Sequence, residues 1–311
     1  YSITLEEMSR SLGRDVSAIK SKACKLKITH NAEWSNEEIE YLKNNYQTKT
    51  YKELSKNLSG RTKSAIDLKI NRLGLKKSPY IYDHDFFEKI NTEEKAYWLG
   101  FFYADGCVFI NKETNSGECC IKLYSGDYKH LQKFNKSLNG NVPITYNDRI
   151  CSFNNKIQHS CSIRCYSIKM ANDLISHGCL VNKTFLIELP QIDKSLMNHF
   201  IRGFFDGDGC ICTASNERKT VSINFCSASE KFLIQIREYL YSYGINSYIT
   251  DEKNRSTYRL YVKGLKNTDN MWNYMFDNAT VFLDRKYEKK QSLYEKYQIA
   301  QRLLRQSEMV G

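Results

Sequence analysis

Two hydrophobic patterns run along the chain, and each occurs twice. Leu54 and Leu58 stand four apart, and Ile66, Ile70 and Leu73 follow at i, i+4, i+7. This spacing predicts two short amphipathic helices. Gly60 marks the turn between them, and Ser64 is placed to cap the second. An earlier stretch, "TLEEMSRSLGRDVSAIKSKACKLKI" from Thr4, repeats "TYKELSKNLSGRTKSAIDLKINRLGL" from Thr50. Glu7 pairs with Glu53, Met8 with Leu54 and Leu12 with Leu58. After one insertion, Ala18-Ile19 pairs with Ala65-Ile66, and Leu26 with Leu73. Trp34, Ile39, Leu42 and Tyr46 predict a third amphipathic helix before the second copy.

The second pattern is longer. "AYWLGFFYADGCVFI" (Ala96–Ile110) aligns with "HFIRGFFDGDGCICT" (His199–Thr213). Gly100 meets Gly203, Asp105 meets Asp208, Gly106 meets Gly209 and Cys107 meets Cys210. The match runs on without a gap from Ile121 against Ile223. Each copy reads as an apolar helix, alternating strands and another helix, so the chain holds a large internal duplication. "CSIRCYSI" (Cys161–Ile168) and "STYRLYVKG" (Ser256–Gly264) alternate apolar with polar or basic residues, as strands with one buried face do. "KKSPYIYDHD" (Lys76–Asp85), with its proline, reads as a linker.

The 311 residues suffice for two or three domains. No run of 18 apolar residues occurs, so no membrane span is expected, and no secretion signal follows Tyr1. A start at tyrosine suggests that the natural N-terminus lies upstream. The net charge is +11, which favours a polyanionic partner, nucleic acid before acidic membrane. Residues 1–79 carry 16 Lys/Arg against 9 Asp/Glu, a disproportionate share of the excess. The 11 cysteines include no Cys-x-x-Cys pair, so they read as reduced thiols of a cytosolic protein, mostly filling cores.

Asp105 and Asp208 are the chemical signal. A helix C-terminus carries partial negative charge and bare carbonyls, so a carboxylate there calls for a cation. Gly106 and Gly209 suit a left-handed helix cap. Oxygen-only donors select Mg²⁺ or a similar hard ion. Gly100 and Gly203 would let the two helices approach closely and bring the aspartates together. Such a pair suits phosphodiester hydrolysis. A calcium loop starting at Asp206 fails, because Cys210 and Ile211 stand where a ligand and an obligatory glycine belong. A plain acidic cap belongs at a helix start, not its end.

Leu99–Gly106 ("LGFFYADG") and Ile201–Gly209 ("IRGFFDGDG") resemble the paired motifs of the LAGLIDADG homing endonucleases. The resemblance covers about residues 85–295 and extends to "GCLVNKT", "LPQIDKSLMNHFIRGFFDGDG" and "LDRKYEK". It implies an α+β fold: a pseudo-twofold pair of αββαββα units forming a saddle over double-stranded DNA. Asp105 and Asp208 would be the metal-binding acids, with the carbonyls of Ala104 and Gly207 as further contacts to Mg²⁺ or Mn²⁺. The product would be a double-strand break. Tyr103 departs from the motif, since its counterpart Asp206 is acidic. The resemblance also implies auxiliary basic or polar residues around the metals; Lys169 and Lys263 are the candidate catalytic lysines, and Asp127 a candidate polar group near the metals or the DNA. Arg285 and Lys286 would contact phosphate or cap the last helix.

The N-terminal repeat resembles Myb/SANT-like helix-turn-helix modules over residues 1–77, through its Trp-Ser-x-Glu-Glu start and Leu-Gly-Leu finish. The last helix of each copy would then enter the major groove. Lys20, Lys22 and Lys25 would face DNA in the first copy, and Arg61, Lys63, Lys69 and Arg72 in the second. The expected organisation is a partial repeat (1–30), a complete module (31–77), a linker (78–90), two LAGLIDADG halves (91–190 and 191–300) and a tail (301–311). A monomer in a bacterial or phage-infected cytoplasm is expected. The competing expectation is a non-cleaving binder of the same fold, an RNA maturase or transcription regulator. An intein setting is disfavoured, because Tyr1 is not a Cys or Ser junction and "SEMVG" lacks His-Asn.

Overall fold

A computed structural model describes residues 5–25, 34–46, 49–58, 61–75, 80–151, 155–179, 187–213, 221–252 and 257–293. Five short helices come first: α1 (Leu5–Leu12), α2 (Val16–Lys25), α3 (Asn36–Asn45), α4 (Tyr51–Asn57) and α5 (Lys63–Arg72). Leu42, Tyr46, Leu54, Leu58, Ile66 and Ile70 form a small core of their own, with Trp34 and Leu73 packed against it. Capping boxes start α3 (Ser35 with Glu38) and α4 (Thr50 with Glu53). Helix α5 starts two residues earlier than Ser64 suggested. Thr62 is its cap, accepting the Ala65 N–H, and Ser64 lies inside the first turn. Gly60 lies outside the described residues.

Two αββαββα units follow. The first is α6 (Glu93–Ala104), β1 (Gly106–Asn111), β2 (Ser116–Tyr124), α7 (Tyr128–Ser137), β3 (Ile144–Ile150), β4 (Ile157–Cys165) and α8 (Ile168–Ser176). The second is α9 (Met197–Asp208), β5 (Gly209–Thr213), β6 (Val221–Ser227), α10 (Glu230–Tyr241), β7 (Tyr248–Glu252), β8 (Thr257–Lys263) and α11 (Leu265–Phe276). Residues 284–293 form a further helix, α12. Each unit has an antiparallel sheet, ordered β1-β2-β4-β3 and β5-β6-β8-β7. The first hairpins differ in register by two residues, which keeps the same faces buried: Gly106 faces Ile121, whereas Gly209 faces Phe225 instead of the matching Ile223.

Strand alternation decides what each sheet shows. Ile121, Leu123, Ile163, Ile223, Phe225, Leu260 and Val262 are buried. Their neighbours Lys122, Tyr124, Arg164 and Lys263 are exposed on the opposite face. Strand β4 stops at Cys165, because Ser167 caps α8 by accepting the Met170 N–H. Residues 80–90, expected as linker, instead send Tyr82, Phe86 and Phe87 into the main core.

The seam between the units is α6 against α9. Eight consecutive residues of α6, Ala96 to Tyr103, are buried, so the helix has no polar face and no amphipathic period. Two glycines permit this. A Cβ on Gly100 would run into the backbone of Phe200, and one on Gly203 into the carbonyl oxygen of Tyr97. Arg202, fully buried, ties the seam to the chain after α11. It donates to Glu93 Oε1 (2.7 Å), Met275 O (2.6 Å) and Val281 O (2.9 Å).

Candidate active site

Both motif helices end at the same place. Asp105 is the C-cap of α6, its N–H donating to Phe101 O, and Asp208 is the last residue of α9. Both aspartates are exposed. The ends touch: a Cβ on Gly207 would collide with Ala104 and would stand 3.4 Å from Asp105 Oδ2. The seam therefore sets the first carboxylate beside the residue preceding the second.

Gly106 and Gly209 do not act as left-handed caps. Gly209 is extended (φ −93°), and neither glycine has positive φ. Each begins a strand directly, and a Cβ there would strike Phe102 or Phe205 one turn back on its own helix. Lack of bulk, not backbone freedom, is what these positions require.

Lys286 is the largest departure from the sequence reading. It meets no solvent-facing phosphate site and does not cap α12. It is 7% exposed, and its amine donates to Phe205 O (2.6 Å), Gly209 O (2.6 Å) and Gly207 O (3.2 Å). An ammonium here neutralises the negative end of α9 next to Asp208. Burial pulls its pKa from 10.5 down to about 8, while the charges of Asp206 and Asp105 work the other way. The Gly207 carbonyl, expected to meet metal, thus already accepts one hydrogen bond and keeps one lone pair.

Asp206 sits beneath this end, 1% exposed. Its Oδ2 accepts from Tyr97 Oη (2.7 Å) and from Leu283 N–H (2.8 Å), which fixes the chain just before α12. Tyr97 Oη is also 3.0 Å from His130 Nε2. Since the hydroxyl proton goes to Asp206, Nε2 carries the proton it donates to Tyr97. Burial raises the Asp206 pKa to about 6 and lowers that of His130 to about 3.

The other nominated residues have partners of their own. Lys169 is committed to carboxylates of Glu88 (2.8 Å), Asp173 (3.0 Å) and Asp85 (3.3 Å), not to the acid pair. Lys263 ends β8 and lies over the rings of Tyr261 (4.8 Å) and Tyr248 (5.1 Å). Asp127 is buried, and both its oxygens accept from Arg285 Nε at 2.9 Å, while the rest of the Arg285 side chain is largely exposed.

In the N-terminal helices, Lys63 and Arg72 are exposed on α5, and Lys22 is exposed on α2. Arg61 is not free to face a partner. It pairs with Glu38 (2.8 Å), and its guanidinium covers the Trp34 ring at 4.7 Å. Lys69 covers the same ring at 5.7 Å. The side chains of Lys20 and Lys25 lie outside the described residues.

Among the described residues, no group of three or more His, Cys, Asp or Glu side chains is placed to hold a metal. Asp105 and Asp208 still fit a small hard cation. Mg²⁺ takes one or two carboxylates and completes its shell with water and substrate phosphate.

Comparison with known proteins agrees with this architecture. Residues 195–274 match the family model described as a LAGLIDADG-like domain. The homing endonuclease I-WcaI, solved bound to its DNA recognition sequence, shares the fold at 10% identity and a TM-score of 0.50. The match covers 65% of this chain and 90% of that one. The I-SmaMI LAGLIDADG homing endonuclease bound to cleaved DNA matches at 12% identity and TM-score 0.48, over 69% and 91% of the two chains. Full-length DUF199/WhiA from Thermatoga maritima matches at 20% identity and TM-score 0.42, over 69% and 66%. No curated protein matches the chain. The mixed α+β fold with two four-stranded antiparallel sheets is that of LAGLIDADG proteins.

Proposed function

We propose that the protein is a site-specific DNA endonuclease that hydrolyses both strands with a divalent metal held by Asp105 and Asp208. The observation carrying this reading is the closeness of the two helix ends: Asp105 Oδ2 lies 3.4 Å from where a Cβ on Gly207 would stand, next in sequence to the exposed Asp208. A bound Mg²⁺ or Mn²⁺ would supply Lewis-acid activation of water and neutralise charge on the leaving oxygen. The protein's own groups do the rest. Lys286 fixes the carbonyls at the end of α9, so Asp208 is held rather than frayed. The outer sheet faces carry Lys122 and Lys263, together with Arg164 paired to Glu118 and the half-buried Arg259 paired to Glu252, and such side chains suit phosphate and base edges. The similarity to a homing endonuclease bound to its recognition sequence supports DNA as the substrate.

The N-terminal helices would act as a second DNA-binding module of helix-turn-helix type, with α5 in the major groove. Tethering raises effective concentration at the target without adding to the chemistry.

The test is selection of cleaved sites from a randomised plasmid library, with Mg²⁺ and then Mn²⁺. Recovery of one extended sequence with staggered ends supports the reading. Retention of DNA without cutting, in either metal, moves the protein to the class of non-cleaving binders.

A further inference from the structure

Three of the matched positions that differ give the two sides of the seam different contacts. Tyr97, Asp206 and His130 form a hydrogen-bonded set on one side. Their counterparts under the internal duplication are Phe200, Tyr103 and Phe232. These form an aromatic set: the Tyr103 ring lies 4.9 Å from Phe200 and 5.8 Å from Phe232. The Tyr103 hydroxyl turns away and donates to His177 O at 2.6 Å, at the end of α8.

We infer that Tyr97 and Asp206 form a one-sided brace that positions the Asp208 end of the site, so that the two strand cuts depend on it unequally. The inference rests on the nuclease reading above. The path is short and directional. Tyr97, on α6 of the first unit, donates across the seam to Asp206. The same carboxylate oxygen holds the Leu283 N–H. Three residues on, Lys286 enters the carbonyls of Phe205, Gly207 and Gly209 on either side of Asp208. Hydrogen bonds fix direction as well as distance. Ring contacts on the other side fix mainly a separation. Losing the Tyr97 hydroxyl therefore loosens one end of the site and leaves the Asp105 end as it was. Tyr97 and Asp206 are positioning residues; neither is placed to touch substrate.

Tyr97→Phe removes one oxygen and keeps the ring, and phenylalanine already occupies the matched position 200. Asp206→Asn keeps shape and loses charge. Both are assayed in the full chain, with each strand of the recovered target end-labelled. Asp105→Asn and Asp208→Asn identify which strand each end serves. The brace predicts that Tyr97→Phe and Asp206→Asn slow the Asp208-dependent cut by roughly tenfold or more, as loss of a supporting hydrogen bond does. The other cut should stay within about twofold, and a nicked duplex should accumulate. Tyr103→Phe should leave the Asp208-dependent cut unchanged. DNA affinity and circular dichroism serve as folding controls. Equal slowing of both strands overturns the inference, as does no slowing of either. Aspartate variants that each stop both cuts overturn it too, because the ends would then act only together. A wild type that cuts no DNA sinks the nuclease reading itself, a result distinct from any strand ratio.

Discussion

The carbonyl oxygen of Tyr97 occupies the space that any side chain on Gly203 would need. Gly100 stands in the same relation to the backbone of Phe200. The obstacles are backbone atoms, so the seam cannot yield without separating the helices. Gly203→Ala should cost more than about 3 kcal/mol, at the severe end for overpacking. Urea unfolding checks this. A cost below about 1 kcal/mol would mean the helices do not pack this closely.

His130 makes the fold sensitive to acid. Its pKa falls from 6.5 to about 3, first through burial, then through Lys133, Arg285 and Lys286. Between these values the unfolded chain binds the extra proton, so stability falls as pH drops through that window. Asp206, raised from 3.8 to about 6, runs the other way: its proton is bound in the folded state, and stability falls as pH rises from 3.8 to 6. The two slopes oppose each other. His130→Phe should remove the first and expose the second. Over pH 6 to 4, the difference in unfolding free energy between variant and wild type should move in the variant's favour by up to about 1.4 kcal/mol per pH unit. A pH-independent difference would contradict a buried neutral His130.

Lys286→Met keeps the aliphatic stem and removes the donor to three carbonyls. It should destabilise the fold by about 2–3 kcal/mol, the value of hydrogen bonds to a charged group. It should also abolish cutting while DNA affinity holds, because the lysine is buried away from the sheet faces. Weakened binding with normal cutting would return it to the phosphate-contact role expected from sequence.

The seam was legible because it is written twice: the same glycines and aspartates recur about a hundred residues apart. The strand faces and the helix stripe of Ile66, Ile70 and Leu73 followed from period, and the two units from the duplication together with the family resemblance. The basic residues did not. Whether a lysine meets solvent, a carboxylate or a carbonyl depends on tertiary neighbours, and Lys169 and Lys286 found theirs far along the chain. The aligned positions Tyr97/Phe200, Tyr103/Asp206 and His130/Phe232 were already on view, but only the fold shows that they meet.

The N-terminal helices give a separable prediction. Lys63 and Arg72 are exposed on α5, so Lys63→Gln with Arg72→Gln should lower the salt dependence of DNA binding by about two units of slope. Cutting of saturated DNA should stay unchanged. Arg61→Gln should instead loosen the module, since Arg61 holds Glu38 and Trp34. Titrations of affinity against salt distinguish the two. An unchanged slope in the double variant would contradict DNA contact through α5.

The central claim is that Asp105 and Asp208 act as a pair. Its most direct measurement is strand-resolved cleavage of the recovered target in Mg²⁺ by wild type, Asp105→Asn and Asp208→Asn. The wild type should break both strands, and each variant should lose the double-strand break while still binding DNA. Cutting of both strands at the wild-type rate by either variant would contradict the claim.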